Sequence, residues 1–186
     1  MKILIVTDAW YPQVNGVVRT LDETSKQLKK FGHEVKLITP DGFLTIPCPT
    51  YPEIKLSLFP GARVSSMIRE FNPDRLHIAT EGPLGLSARG YANRNGLAFT
   101  SAYHTRFPEY VHARTKLPLK ITYSFLRWFH NSSDLVMVPT EEVKKDLIKH
   151  KISNPNIWSR GVDLEIFKPK RGRKKNQKPI MLNVGR

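Results

Sequence analysis

The segment Ser101 to Tyr110 (S-A-Y-H-T-R-F-P-E-Y) gathers His104, Arg106, Glu109 and two tyrosines just past an apolar run. A lone histidine is usually structural, but one at the mouth of a parallel sheet, beside an arginine, is a better candidate for acid–base or binding chemistry, whereas Phe107 and Tyr110 are expected to pack in the core or at its rim. A second cluster is His77 to Gly85 (H-I-A-T-E-G-P-L-G), in which Glu81 follows a short apolar run and precedes Gly82-Pro83. Its carboxylate suits sugar hydroxyls or base chemistry; alternatively Thr80 or Glu81 caps the next helix. A third is Asp8 to Leu21 (D-A-W-Y-P-Q-V-N-G-V-V-R-T-L). Asn15-Gly16 opens a helix there, and backbone N–H groups at a helix start can hold an anion. This loop has neither the G-x-G-x-x-G nor the G-K-[ST] ending of the common nucleotide-binding turns, which weakens a dinucleotide oxidoreductase or a P-loop enzyme. The remaining histidines show no metal spacing and Cys48 stands alone, so no metal site is expected. No G-x-S-x-G is present, which argues against a serine hydrolase.

The elements around these clusters read as alternating strands and helices. Apolar runs mark strands at Lys2 to Thr7, Glu34 to Thr39, Arg75 to Ala79, Leu97 to Tyr103 and Asp134 to Val138, with short ones at Ile54 to Leu58 and at Ile157-Trp158. Helical spacing covers Val17 to Phe31, Ala62 to Phe71, Pro83 to Asn95, Leu117 to His130 and Glu141 to Lys149. Gly32 is placed to end the first helix and Pro83 to start the third. The pattern predicts an α/β fold, a Rossmann-like parallel sheet with helices on both faces. Ligands then gather beyond the C-terminal strand ends, where all three clusters fall.

The chain has 186 residues and a formal net charge of +14, with 30 Lys plus Arg against 16 Asp plus Glu. Lys168 to Lys175 (K-P-K-R-G-R-K-K) is the densest basic run: a solvated linker, or an attraction to anionic membrane or nucleic acid. One cysteine rules out an internal disulfide, and no apolar window is long enough to span a bilayer. The aromatic stretch Leu117 to His130 is expected to be a core helix, or else a lipid-facing one helped by Lys116, Lys120 and Arg127.

Taken in order, Asp8–Leu21, His77–Gly85, Y-H-T-R-F-P-E-Y (Tyr103 to Tyr110), S-R-G-V-D-L-E-I-F (Ser159 to Phe167) and N-V-G-R (Asn183 to Arg186) resemble the N-terminal half of a family 4 glycosyltransferase of the GT-B architecture. The resemblance is to the bacterial branch holding GDP-mannose-dependent α-mannosyltransferases and sulfoquinovosyl-diacylglycerol synthases. It implies an acceptor-side domain over residues 1–166, a basic linker over 167–178, and over 179–186 the first strand of a donor-binding domain that lies beyond the chain. It implies transfer of a hexosyl group, with mannosyl expected, from a GDP- or UDP-linked sugar to a lipid or glycan-precursor acceptor, with retained configuration and no metal or other cofactor. Carried onto this chain, Asn15, Gly16 and Arg186 would meet the donor diphosphate. His104 would serve the transferring sugar as the catalytic residue, and Glu81, Arg106 and Tyr103 would contact acceptor or sugar. The family's paired glutamates and the lysine after Gly-Arg fall beyond residue 186, so the 186 residues alone are expected to transfer no sugar. A cytoplasmic protein, peripheral on an anionic inner membrane face, fits this reading. The competing one is a basic nucleic-acid- or membrane-binding module without catalysis, though no specific nucleic-acid motif is present.

Overall fold

The computed structural model describes residues 1–49, 51–104 and 106–159, together with 161, 164, 166–168 and 183. Six strands form one parallel sheet: β1 (Lys2–Val6), β2 (Glu34–Ile38), β5 (Arg75–Ile78), β6 (Phe99–Ala102), β7 (Leu135–Val138) and β8 (Pro155–Ile157), in the order β2-β1-β5-β6-β7-β8. The helices are α1 (Gly16–Lys30), α2 (Gly61–Phe71), α3 (Pro83–Asn95), α4 (Phe107–Thr115), α5 (Leu119–His130) and α6 (Glu141–Lys149). A separate antiparallel hairpin joins β3 (Thr45–Cys48) to β4 (Tyr51–Ser57).

The layers follow from side-chain alternation. Leu4 and Val6 of β1 face one side of the sheet and join Ile38, Leu76 and Ile78. Against them pack Val64 and Ile68 of α2, Leu84, Ala88 and Ala92 of α3, and Phe129 of α5. Ile5 faces the other side, where Leu21 of α1 meets Val35 and Ala79. A further cluster under α5 and α6 contains Tyr103, Tyr123, Leu126, Val136 and Leu147. The α/β expectation therefore holds: a parallel sheet carries helices on both faces.

Helix boundaries have local causes. Asn15 caps α1, its Oδ1 accepting from the amides of Val17 and Val18 at 3.0 Å each. Gly32, at φ +81°, turns the chain out of α1 as expected. Thr140 caps α6 through the Val143 amide, and Glu141 and Glu142 sit where the helix dipole favours negative charge.

Two regions differ from the sequence reading. The proline-rich segment from Thr45 holds two strands rather than one short strand, because Pro47 and Pro52 sit in a two-stranded ribbon that has free edges. Phe107–Thr115, read only as a loop beyond a strand, forms the separate helix α4, with Pro108 in its first turn. The aromatic helix is mainly a core element: Tyr123, Leu126, Phe129 and His130 are buried, whereas Ile121 and Trp128 are about half exposed. Among the described residues no helix is long and apolar enough to cross a membrane.

Candidate functional site

The sheet order makes β1, β5 and β6 neighbours, with Val6 opposite Ile78 and Ile78 opposite Ser101. Neighbouring strands lie roughly 4.8 Å apart, so the loops after β1, β5 and β6 emerge within about 10 Å of one another. Those loops carry Asn15 and Gly16, Glu81, and Tyr103 to Arg106 respectively. The three clusters picked out in the sequence thus share one edge of the sheet.

The loops after β1 and β5 are joined by Asp8. Its carboxylate accepts from the Thr80 hydroxyl at 2.8 Å, the Leu84 amide at 2.9 Å and the Gly85 amide at 3.3 Å, while its own amide donates to Thr80 Oγ1 at 2.7 Å. The first turn of α3 is therefore capped from the loop after β1, and neither Thr80 nor Glu81 supplies that cap. The fit admits no side chain at two positions: a Cβ on Gly82 would lie 2.4 Å from Asp8 Cγ, and one on Gly85 would lie 1.9 Å from the Thr80 carbonyl oxygen. Burial raises the Asp8 pKa above the usual carboxylate value, against the lowering effect of these hydrogen bonds.

Relieved of capping, Glu81 turns toward α5. Its Oε1 lies 3.2 Å from Nε2 of His130, a fully buried residue at the end of α5. Nδ1 of the same ring is 2.9 Å from Ser101 Oγ, which is 3.0 Å from Ser133 Oγ. The Glu81 side chain remains 18% exposed.

The loop after β6 is held from several directions. Tyr103 is buried in the cluster under α5 and α6, and burial raises its phenol pKa. Its hydroxyl has no hydrogen-bond partner among the described residues. His104 is partly buried, its ring centroid 6.2 Å from that of Trp158. Arg106 is exposed and donates to Glu142 of α6 at 2.8 Å. Glu109 accepts from the Tyr123 hydroxyl at 2.7 Å, which ties α4 to α5. At the start of α1, the amides expected to be open to an anion are partly used by the Asn15 cap itself, while Gly16 is exposed. Arg186 lies outside the described residues, as do most of the basic run and the 179–186 segment except Asn183.

The structure thus brings Glu81 together with Asp8, Thr80 and His130, none of which had been singled out as a site residue. Asp8 carried one readable signal, a carboxylate immediately after a buried strand. His130 carried none, since its partners are 29 and 49 residues away. A separate open depression of about 770 Å³ lies over the α1 side of the sheet, lined by Ile3, Ile5, His77, Thr100, Met137 and Trp158 among others. Burial lowers the His77 pKa to about 3, with the charge of His104 adding to the effect, so a neutral ring occupies that face. Among the described residues no group of three or more His, Cys, Asp or Glu side chains is arranged to hold a metal ion.

A six-stranded parallel sheet covered on both faces, with its polar loops at the C-terminal edge, is the Rossmann-like N-terminal domain of the GT-B architecture. The model of Glycosyltransferase Family 4 matches residues 14–166, and the chain belongs to that family. It is 30% identical to sulfoquinovosyl transferase SQD2 of Arabidopsis thaliana, over 98% of this chain and 41% of that protein. It is 26% identical to the GDP-mannose-dependent alpha-mannosyltransferase of Mycobacterium tuberculosis, over 100% of this chain and 56% of that one. It is 25% identical to alpha-monoglucosyldiacylglycerol synthase of Streptococcus pneumoniae, over 100% and 46% respectively. The chain spans about half the length of the curated relatives it matches.

Proposed function

We propose that this chain is the acceptor-side half of a retaining glycosyltransferase, moving a hexosyl group from a GDP- or UDP-linked sugar to a lipid or glycan-precursor acceptor. The observation that carries the reading is the convergence of three polar loops on one sheet edge in a chain of this family. The relatives named for mannosyl and glucosyl transfer support a hexosyl donor, and one named for a diacylglycerol product supports a lipid acceptor. Mannose is the preferred hexose. These similarities lend nothing to the basic nucleic-acid module.

In this reaction the bond from the anomeric carbon to the diphosphate oxygen breaks, and one from that carbon to the acceptor oxygen forms on the same face. The acceptor hydroxyl proton leaves with the departing nucleoside diphosphate. Asn15, Gly16 and Arg186 are assigned to the diphosphate, whose growing negative charge is the main electrostatic load. His104 is assigned to the transferring sugar, whose ring carries positive charge at the transition state. Glu81, Arg106 and Tyr103 are assigned to acceptor or sugar; of these, the buried Tyr103 reaches a ligand only if the loop shifts. No metal or other cofactor is assigned a part. The net charge of +14 and the exposed Trp128 and Ile121 suit a protein that works against an anionic membrane face on the cytoplasmic side.

The test joins this chain to the portion of the Mycobacterium tuberculosis relative that it does not cover. GDP-mannose, UDP-glucose or UDP-sulfoquinovose is then offered with vesicles containing diacylglycerol or anionic phospholipid. The expected result is an α-linked glycolipid from the joined protein and none from the 186 residues alone. A folded joined protein that transfers no sugar from any donor would refute the transferase reading, and turnover by the 186 residues alone would refute the division into halves.

A further inference from the structure

We propose that His130 is a positioning residue for Glu81, holding one carboxylate oxygen so that the other is presented to substrate. The inference rests on the assignment of Glu81 to acceptor or sugar, and it names how that carboxylate is oriented. No sequence signal connects the two residues, and no other hydrogen bond among the described residues reaches the Glu81 carboxylate.

The protons on the His130 ring fix the direction of each bond in this network. A carboxylate oxygen accepts, so the His130 nitrogen facing Glu81 Oε1 must carry hydrogen. On the other side of the ring, Nδ1 meets Ser101 Oγ at 2.9 Å, and Ser101 Oγ meets Ser133 Oγ at 3.0 Å. Ser133 is anchored in turn, donating to the His130 carbonyl at 2.7 Å. With one proton on the ring, Ser101 donates to Nδ1. With two, Nδ1 donates to Ser101, Ser101 to Ser133 and Ser133 to the carbonyl, so every contact in the chain holds a hydrogen. The network accommodates both states, and in each the Nε2–H points at Glu81.

The surroundings leave this pair little other choice. His130 and Ser101 are fully buried and Ser133 nearly so, so no water competes for the ring. Tyr103, just past β6, stands edge-on to the ring with centroids 6.2 Å apart, and Phe129 does so at 5.1 Å. Arg89 of α3 bonds the carbonyls of Trp128 and Phe129, fixing the end of α5 just before His130. Asp8, the other carboxylate that feels Glu81, is spent on Thr80, Leu84 and Gly85. Oε1 of Glu81 is therefore turned inward to His130, while the Glu81 side chain as a whole stays 18% exposed. A carboxylate with one oxygen already bonded presents a single acceptor in a fixed direction, as orienting one hydroxyl of a sugar requires.

The test has two readouts. In the first, ring nitrogens of the 15N-labelled 186-residue chain are observed by NMR. A slowly exchanging Nε2–H is expected for His130; Glu81→Gln shifts it, and Ser101→Ala shifts Nδ1 while leaving Nε2–H in place. A His130 Nε2 without hydrogen, or one indifferent to Glu81→Gln, would overturn the pairing. The second readout is transfer by the joined protein described above. His130→Leu, which removes the donor, is expected to raise the acceptor KM about tenfold or more, as loss of one hydrogen bond to a charged group implies. His130→Gln, whose amide can still donate to Glu81, is expected to recover most of that loss. A folded His130→Leu protein with unchanged KM and kcat would overturn the positioning role. If the unsubstituted joined protein transfers nothing, the transferase reading fails, while the NMR arm still decides the pairing.

Discussion

Replacing Asp8 tests whether the site's frame is built as described. In Asp8→Ala the buried amides of Leu84 and Gly85 and the partly buried hydroxyl of Thr80 lose the carboxylate that accepts from them. Each buried donor left without a partner costs about 1–3 kcal/mol, and the Thr80 hydroxyl can turn elsewhere, so the total is about 3–5 kcal/mol. At about 2–4 °C per kcal/mol for a chain of this size, the midpoint of thermal unfolding drops by roughly 10 °C. Asp8→Asn separates acceptor geometry from charge. It keeps an oxygen for Leu84 and can donate to Thr80 Oγ1, but it sets an N–H near the Gly85 amide, so its cost is about 1 kcal/mol at neutral pH. The pH dependence has a definite sign. Burial raises the folded pKa of Asp8 above its ordinary 3.8, so the native state holds its proton more tightly than the unfolded chain does. That contribution is fully present below pH 3.8 and is lost as pH rises through the folded value. The stability gap between the protein and Asp8→Asn, read from urea unfolding, therefore narrows as pH rises. A loss below about 1 kcal/mol in Asp8→Ala, or a gap that widens with pH, would refute this account.

Gly85→Ala should destabilise the fold by about 3 kcal/mol or more, since its Cβ would meet the Thr80 backbone at 1.9 Å. Gly61→Ala, whose Cβ would meet nothing within 4 Å, is the control and should leave unfolding in urea nearly unchanged. Asn15→Ala removes the acceptor of two amides and should cost about 1 kcal/mol in the same assay. His77 should stay neutral until the pH approaches 3, so its ring carbon resonances should not titrate near 6.5. Because this folded pKa lies below the ordinary 6.5, its share of stability is present above that value and is lost as pH falls toward 3.

The order of strands and helices was legible because a buried parallel strand writes an unbroken apolar run, and because helix ends carry local chemistry. Glu141 to Lys149 was read to the residue, since Thr140 precedes acidic residues that favour a helix start. The β3–β4 hairpin was half missed. Pro47, Pro49 and Pro52 disrupt the run of strand formers, and a ribbon outside the main sheet need not alternate against a core. Helix α4 was missed because its apolar residues serve different neighbours. Phe107 reaches Phe125 of α5, Pro108 is buried and Tyr110 is exposed, so no single stripe emerges.

The site was legible only where it meets solvent. Glu81 and His104 could be put forward as candidates because a polar residue just past an apolar run has a position in the fold that the sequence alone supplies. The residues that hold Glu81 follow no such rule. His130 ends an aromatic helix, where a histidine reads as one more core residue; its significance lies in Ser101 of β6 and Glu81 beyond β5, which only the sheet order brings to it. Asp8 was visible as the end of a strand, yet its task of capping a helix that begins 75 residues later needs β1 and β5 side by side. In a parallel sheet the ligand-facing groups are local to each loop, while the groups that aim them come from neighbouring strands. The sequence therefore displays the first kind and conceals the second, and for this chain the concealed residues determine where the Glu81 carboxylate points.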